Sequence, residues 1–235
     1  MIFDLFITRP EICISSAKVI CSVVEEDGML CFRSRFIVAS IIGSLTLGVV
    51  IPPAWAQTQN QGSKIDTSSL KAFATNGATI LDSKTGDLNG DGTTDALLVL
   101  NPATSGAEKL GEGPSRTVLL LTRDATGQLQ KAAQNDKIVP CAQCGGIAGD
   151  PYSYTLISEG RFTIVTEGGS REHWSNEYTF AYSPEQKNWL LREVKRAVVD
   201  QDTGKQKALD LKPKDFGVVQ FKGFDPSTLP TLDLP

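Results

Sequence analysis

The stretch Asp87-Leu-Asn-Gly-Asp-Gly-Thr-Thr-Asp-Ala-Leu-Leu-Val-Leu100 joins an acidic, glycine-rich loop directly to an apolar run. Its last five positions, 96–100, are apolar without interruption, which indicates a strand that is buried on both faces or lies in the middle of a sheet. The polar loop before them is typical of a turn between strands. The junction therefore predicts a β-rich domain.

Short runs with strand character follow on both sides of this junction. The predicted strands are 96–100, 116–123, 128–131, 152–156, 161–166, 174–182 and 189–194. A short helix is predicted over 68–74, capped at Asp66 or Thr67 and stopped at Asn76-Gly77. The expected fold class is mainly β: an antiparallel meander with one short N-terminal helix and a hairpin that carries the acidic loop.

The pattern places a single β-rich domain at 66–200, after a flexible lead-in at 57–65. Residues 201–235 are expected to form a last hairpin, pivoting at Asp202-Thr-Gly204, and a proline-rich tail that packs loosely over the surface.

Residues 29–56 have the features of a secretory signal peptide. Arg33 and Arg35 precede an apolar run of about 15 residues, which is short for a bilayer span. Ala54-Trp-Ala56 forms a small-x-small cleavage site. We therefore expect cleavage after Ala56 and a soluble mature chain, with no membrane span, in the periplasm or outside the cell.

Residues 1–28 carry acidic side chains, including Glu25, Glu26 and Asp27, which do not suit the segment before a signal peptide's apolar run. Translation that begins at Met29 would give a signal peptide of ordinary length. We interpret 1–28 as a misassigned upstream start; the alternative is an extended signal peptide.

The charge and cysteine content narrow the function classes. The net charge is −4, and no basic patch stands out, which disfavours nucleic-acid binding. Only Cys141 and Cys144 lie beyond the predicted cleavage site, where an oxidising compartment favours a disulfide between them. A redox pair and a metal site are the alternatives, but Gly145-Gly146 follows at once, so the helix that redox C-x-x-C motifs open is missing.

The acidic loop presents oxygen atoms at alternate positions, as loops that bind hard cations do. The predicted ligands are side-chain oxygens of Asp87, Asn89, Asp91 and Asp95 and the main-chain carbonyl of Thr93. The twelfth loop position holds Leu98 rather than the bidentate glutamate of an EF-hand, so the loop is of another type. The prediction is one Ca²⁺ site; the alternative is an acidic turn that keeps this shape without an ion.

Residues 86–100 resemble the calcium loop of FG-GAP and VCBS-type repeats, in which a D-x-N/D-x-D-G-x-x-D loop opens a β-strand. The chain around them, about 66–195, also resembles small exported bacterial proteins that carry one such loop. The shared features are the short helix, Leu81-Asp82, Cys144-Gly-Gly, Gly149-Asp-Pro, and Gly168-Gly-Ser before Trp174. The resemblance implies the fold and calcium binding rather than an activity.

The favoured function is a non-enzymatic, exported calcium-binding protein of the envelope with a binding or structural role, its partner an envelope protein or a glycan. The alternative is a periplasmic hydrolase-like protein that uses the Gly168–Trp174 loop, with His173, the only histidine, as its candidate catalytic residue. No G-x-S-x-G nucleophile elbow occurs, and a solvated hairpin loop around His173 is the simpler interpretation. The aromatic residues Trp174, Tyr178, Phe180, Tyr182 and Trp189 fit core and cross-strand positions better than a sugar-binding face.

Overall fold

Two antiparallel sheets form the frame of the protein in the computed structural model, which describes Ile65, residues 67–232 and Leu234. The N-terminal sheet contains, in spatial order, β1 (Thr79–Gly86), β2 (Asp95–Asn101), β3 (Arg116–Arg123) and β4 (Leu129–Val139). The C-terminal sheet contains β5 (Tyr152–Ser158), β6 (Arg161–Gly169), β7 (Glu172–Ser183), β8 (Asn188–Asp200) and β9 (Gln206–Leu211). Within each sheet, every strand pairs with its neighbour in sequence, as hairpin connections require. The predicted signal peptide and the residues upstream of it lie outside the described residues.

Helical structure is sparse, which confirms the mainly-β prediction. α1 covers Thr67–Lys71 and α2 covers Pro213–Phe216, and short 3₁₀ turns occur at Gly146–Ala148, Phe221–Gly223 and Pro226–Thr228. α1 ends at Lys71, three residues before the predicted end at 74, and the chain then turns at Asn76 (φ 56°) and Gly77 (φ 74°). No helix within the described part of the chain is both long and apolar enough to cross a membrane.

The central strands β2 and β3 are buried on both faces, as their continuous apolar runs predict. Leu97 and Val99 of β2 face a core that the two sheets share, whereas Leu98 and Leu100 face the opposite side. That second side is covered by α1 through Leu70, which is 2% exposed. The helix therefore covers the outer face of the N-terminal sheet.

Strands β4 and β8 are longer than the sequence predicts. β4 continues to Val139, where Ile138 and Val139 are buried. Between residues 130 and 137 only Ala133 and Asn135 are buried, and neither gives a strong apolar signal, so the sequence pattern does not reveal the extension. β8 continues to Asp200, paired throughout with β7.

The expectation that the proline-rich tail packs loosely over the surface is wrong. Phe221 and Phe224 are 0% and 2% exposed, and Phe221 packs edge-on against Phe180 with 5.3 Å between ring centroids. The Asn135 side-chain amide donates to the carbonyl oxygens of Phe221 (2.6 Å) and Phe224 (2.8 Å), both across more than eighty residues of sequence. The tail thus covers one side of the shared core. Its aromatic rings are buried there, and its buried carbonyl groups are hydrogen-bonded.

Candidate metal site and its surroundings

The acidic loop connects β1 to β2 as the turn of a hairpin. Gly86 pairs with Asp95, so the two ends of the loop lie side by side. Asp95 is the first residue of β2 and is 0% exposed, while Asn89, Gly90 and Asp91 lie toward solvent. The candidate ligands therefore extend from the protein surface to a buried carboxylate.

Carboxylates of the loop hold its backbone in shape. Asp87 Oδ1 accepts from the main-chain N–H of Gly90 at 2.6 Å, and Asp87 Oδ2 accepts from that of Gly92 at 2.8 Å. Asp91 Oδ1 accepts from the main-chain N–H of Thr93 at 2.8 Å. Gly90 and Gly92 have φ values of 77° and 82°, which side-chain-bearing residues rarely adopt. The glycines are therefore required by the turn itself.

Electrostatics in the loop favour a cation. Burial raises the pKa of Asp95, the charges of Asp91 and Asp87 add to that rise, and main-chain N–H groups of Arg123 and Leu88 offset part of it. The ion pairs found among the described residues all involve other carboxylates. Three carboxylates within nine positions are thus left without a basic partner in the described chain, although like charges repel.

Asp91 behaves differently from Asp95. Burial raises its pKa, but hydrogen bonds from the hydroxyl and amide of Thr93 and from Asn89 outweigh burial, and the pKa is lowered overall. Asp91, the most exposed of the three carboxylates, thus stays ionised.

The donor set fits Ca²⁺, although the side chains are turned toward the loop's own amides. No group of three or more His, Cys, Asp or Glu side chains converges on one point within the described residues. A carboxylate has about four lone-pair positions, so Asp87 and Asp91 can keep their amide hydrogen bonds and still bind an ion. Asp87, Asn89, Asp91 and Asp95, with the Thr93 carbonyl, are the residues that would hold it.

The loop is anchored to the C-terminal sheet by its main chain. The carbonyl of Asp87 accepts from Gly160 N at 3.0 Å, and the carbonyl of Leu88 accepts from Trp189 Nε1 at 2.6 Å. Leu88 is 0% exposed and lies in the shared core. Sequence reasoning missed this anchor, and the signal for it was the single leucine inside an otherwise polar loop.

The predicted Cys141–Cys144 disulfide is present, with 2.09 Å between the sulfurs. Cys141 is 2% exposed, and Gly111 N donates to Gln143 O at 2.7 Å, which ties the long β2–β3 connection to the disulfide turn. No helix of ordinary length follows the second cysteine, only the 3₁₀ turn that begins at Gly146. This geometry agrees with a structural role.

Two glycine pairs that stand apart in the sequence meet in space. Gly169 N donates to Gly145 O at 2.7 Å, and a Cβ at Gly168 would lie 2.7 Å from the same oxygen. A Cβ at Gly146 would lie 3.0 Å from Gly169 O. The glycines let the disulfide turn pack directly on the end of β6.

The segment around His173 is strand rather than loop. β6 ends at Gly169 and β7 begins at Glu172, so only Ser170 and Arg171 form the turn. His173 pairs with Gly169 in the sheet, and its Nε2 lies 3.8 Å from Glu167 Oε2. Glu167 is thus the charged partner of His173 among the described residues, and the role of His173 in the hydrolase alternative stays a prediction.

The predicted aromatic positions divide between core and surface. Tyr178, Phe180 and Trp189 are buried, and Tyr182 pairs across the strands with Trp189 at 5.1 Å between ring centroids. Trp174 is only half-buried and lines a cavity.

Comparisons of the chain with protein families, with characterised proteins and with solved structures found no match.

Proposed function

We propose that this is an exported, non-enzymatic calcium-binding protein of the cell envelope, with a binding or structural role toward an envelope protein or a glycan. The observation that carries the proposal is the 87–95 loop, in which three carboxylates and an amide occupy alternate positions without a basic partner among the described residues. Export is supported by the signal-peptide pattern at 29–56.

An ion in this loop would brace the junction between the two sheets. The loop is continuous with the buried strand β2, and its main chain is hydrogen-bonded to Gly160 and Trp189 of the C-terminal sheet. Because the ligands come together only in the folded chain, Ca²⁺ would stabilise that state by mass action, by roughly 1.4 kcal/mol at about ten times the Kd. Calcium modules outside the cell commonly have Kd values of about 10⁻⁴ to 10⁻³ M, and this half-exposed site belongs in that range.

The test is calorimetric titration with Ca²⁺ together with thermal melting, on the protein and on Asp91→Asn. Asparagine keeps an oxygen that can accept from Thr93 but removes one negative charge, so the loop's shape is preserved while its affinity for the ion falls. We expect saturable heat and a raised Tm for the unaltered protein, and much weaker binding for the variant.

The matched control is Asp124→Asn in the β3–β4 turn. Asp124 Oδ1 accepts from the amide (2.9 Å) and the hydroxyl (2.6 Å) of Thr126, the same arrangement as at Asp91, but no further carboxylate stands at the alternate positions 126, 128 and 130. Calcium binding should be unchanged in this variant. The proposal fails if the unaltered protein gives no saturable heat, or if both variants lose binding equally.

The role of the ion is separated from partner binding by a second measurement. Affinity capture from an envelope extract, and from a glycan array, is run with Ca²⁺ and with a chelator. A partner held only with Ca²⁺ indicates that the loop contributes to binding, whereas a partner held under both conditions assigns the ion to structure alone.

A further inference from the structure

A cavity remote in sequence from the acidic loop lies at one end of the C-terminal sheet. Its volume is about 260 Å³, and its walls come from the end of β4, from β6, β7 and β8, and from tail residues 226–231. Small-molecule sites are concave and combine apolar walls with a few polar groups, and this cavity lies just below their usual volume of about 300 to 1,000 Å³.

A polar row crosses the sheet beneath this cavity. Thr166 pairs with Asn176, and Asn176 pairs with Arg196, so their side chains lie in register across three strands. The next row on the same face is apolar and buried, with Ile164, Tyr178 and Val194 in the shared core. Buried polar groups are nearly always hydrogen-bonded, so the side chains of this row need hydrogen-bond partners from the protein or from a ligand.

Arg196 is fixed in position but not neutralised. Its Nη1 donates to Pro230 O at 2.7 Å and its Nη2 to Pro226 O at 2.8 Å. Its Nε is buried and has no hydrogen-bond partner, the only such side-chain atom found among the described residues. Its partners, the two tail carbonyls and the hydroxyl of Tyr178, are neutral, so the positive charge is not compensated.

The charged side chains that line the cavity are all basic. Lys137 and Arg196 line the cavity, and no acidic side chain does. Lys137 is paired with Asp225 at 2.9 Å, which leaves Arg196 as the unpaired cation of the wall. A bound group should therefore be an anion, since a cation would meet an unpaired guanidinium.

Aromatic and small polar groups complete the cavity. Trp174 and Tyr178 contribute rings, and Asn176, Thr166 and Ser227 contribute an amide and two hydroxyls. An aromatic wall suits the face of a ligand ring, and amide and hydroxyl groups suit ring substituents that donate and accept hydrogen bonds.

We propose that this cavity binds a small ring-bearing carboxylate of about the size of a uronic acid. The carboxylate accepts hydrogen bonds from Arg196, because guanidinium and carboxylate match in shape and charge. The ring lies against Trp174, and Asn176 contacts its substituents. The tail residues Pro226, Ser227 and Leu229 also line the cavity, so the C-terminal tail is part of the site.

The test is NMR titration of the ¹⁵N-labelled protein with D-glucuronate, benzoate and D-glucose at millimolar concentration. The reporters are the indole N–H of Trp174 and the side-chain amide of Asn176, because both line the cavity. We expect saturable shifts of both signals with at least one of the two carboxylates and none with glucose. Absence of saturable shifts with both carboxylates, or equal shifts with glucose, would overturn the proposal.

Two variants and one control locate the binding. Arg196→Gln should weaken carboxylate binding by about ten- to hundredfold, the worth of a hydrogen bond to a charged group. Since Arg196 also holds the tail, Asn176→Leu serves as a second variant: it fills the cavity, leaves the tail's hydrogen bonds in place, and should also abolish binding. Lys195→Gln, on the opposite face of β8, should bind normally. Unchanged affinity in both cavity variants would overturn the proposal.

Discussion

The indole N–H of Trp189 donates a 2.6 Å hydrogen bond to the main-chain carbonyl of Leu88, across 101 residues of sequence. Both residues are buried, at 3% and 0% exposure. The bond joins the acidic loop of one sheet to the start of strand β8 in the other. Any ion in the loop is therefore coupled to the contact between the sheets.

Replacing Trp189 by Phe should destabilise the protein by about 2–3 kcal/mol, because the Leu88 carbonyl loses its donor and the smaller ring leaves space in the core. Urea unfolding measures this change. Trp174→Phe, at a half-buried position, should cost about 1 kcal/mol or less. Equal losses in the two variants would mean that the hydrogen bond to Leu88 contributes nothing specific. If the loop binds Ca²⁺ as proposed, Trp189→Phe should also weaken that binding.

The tail should be as important to stability as a core strand. Phe221 contacts the rings of Phe162 and Phe180 at 5.4 and 5.3 Å between centroids, so Phe221→Ala should cost about 3–5 kcal/mol in chemical unfolding. The nearby Val218 is 75% exposed, and Val218→Ala should change stability by no more than about 0.5 kcal/mol. A small effect at Phe221 would show that the tail detaches without disturbing the core.

The sequence predicts those elements whose signal is local. β3 has the predicted bounds, Arg116 and Arg123, on either side of the apolar run 118–121, and the acidic loop leads into β2 as its composition indicates. The two cysteines pair as their spacing and the expected compartment suggest. In each case neighbouring residues carry the whole pattern, so periodicity and turn chemistry suffice.

Long-range pairings are what the sequence does not reveal. Asn135 is a polar residue that is 2% exposed because it binds carbonyls of the tail more than eighty residues away. The hydrogen bonds from Trp189 to Leu88 and from Arg196 to Pro226 also join residues that are far apart in the sequence. A single sequence gives no sign of such partners, because the hydrogen bonds form only after the sheets have packed.

The close contact between the two glycine pairs predicts that a side chain at Gly168 destabilises the protein. A Cβ at Gly168 would lie 2.7 Å from both Gly145 O and a ring atom of Trp174, so Gly168→Ala should cost about 1–3 kcal/mol through overpacking. Gly223 has no heavy atom within 4 Å of the corresponding position, and Gly223→Ala should be neutral or slightly stabilising. Thermal melting compares the two, and an unchanged Tm for Gly168→Ala would contradict the close packing.

The turn between β6 and β7 is tied to the end of β8 by a charge pair that makes stability depend on pH. Arg171 Nη2 lies 2.8 Å from Asp200 Oδ2, and the main-chain N–H groups of Asp202 and Thr203 donate to Asp200 Oδ1 at 2.9 and 3.0 Å. The Arg171 hydrogen bond, followed by that from Thr203, holds the pKa of Asp200 well below its ordinary 3.8. The folded protein therefore binds this proton less tightly than the unfolded chain does. The stabilisation is present above pH 3.8 and is lost as the pH falls through the folded pKa.

Arg171→Gln should consequently lower Tm at neutral pH, and the difference from the unaltered protein should shrink as the pH falls well below 3.8, where Asp200 becomes protonated in both. Because Arg171 is largely exposed, added salt should reduce the difference at neutral pH as well. Arg161→Gln, at an exposed position of β6 and outside the ion pairs of the described chain, is the matched control and should leave Tm unchanged at every pH. A Tm difference for Arg171→Gln that is the same at neutral and acid pH would mean that the arginine acts through packing of its side chain rather than through the charge of Asp200.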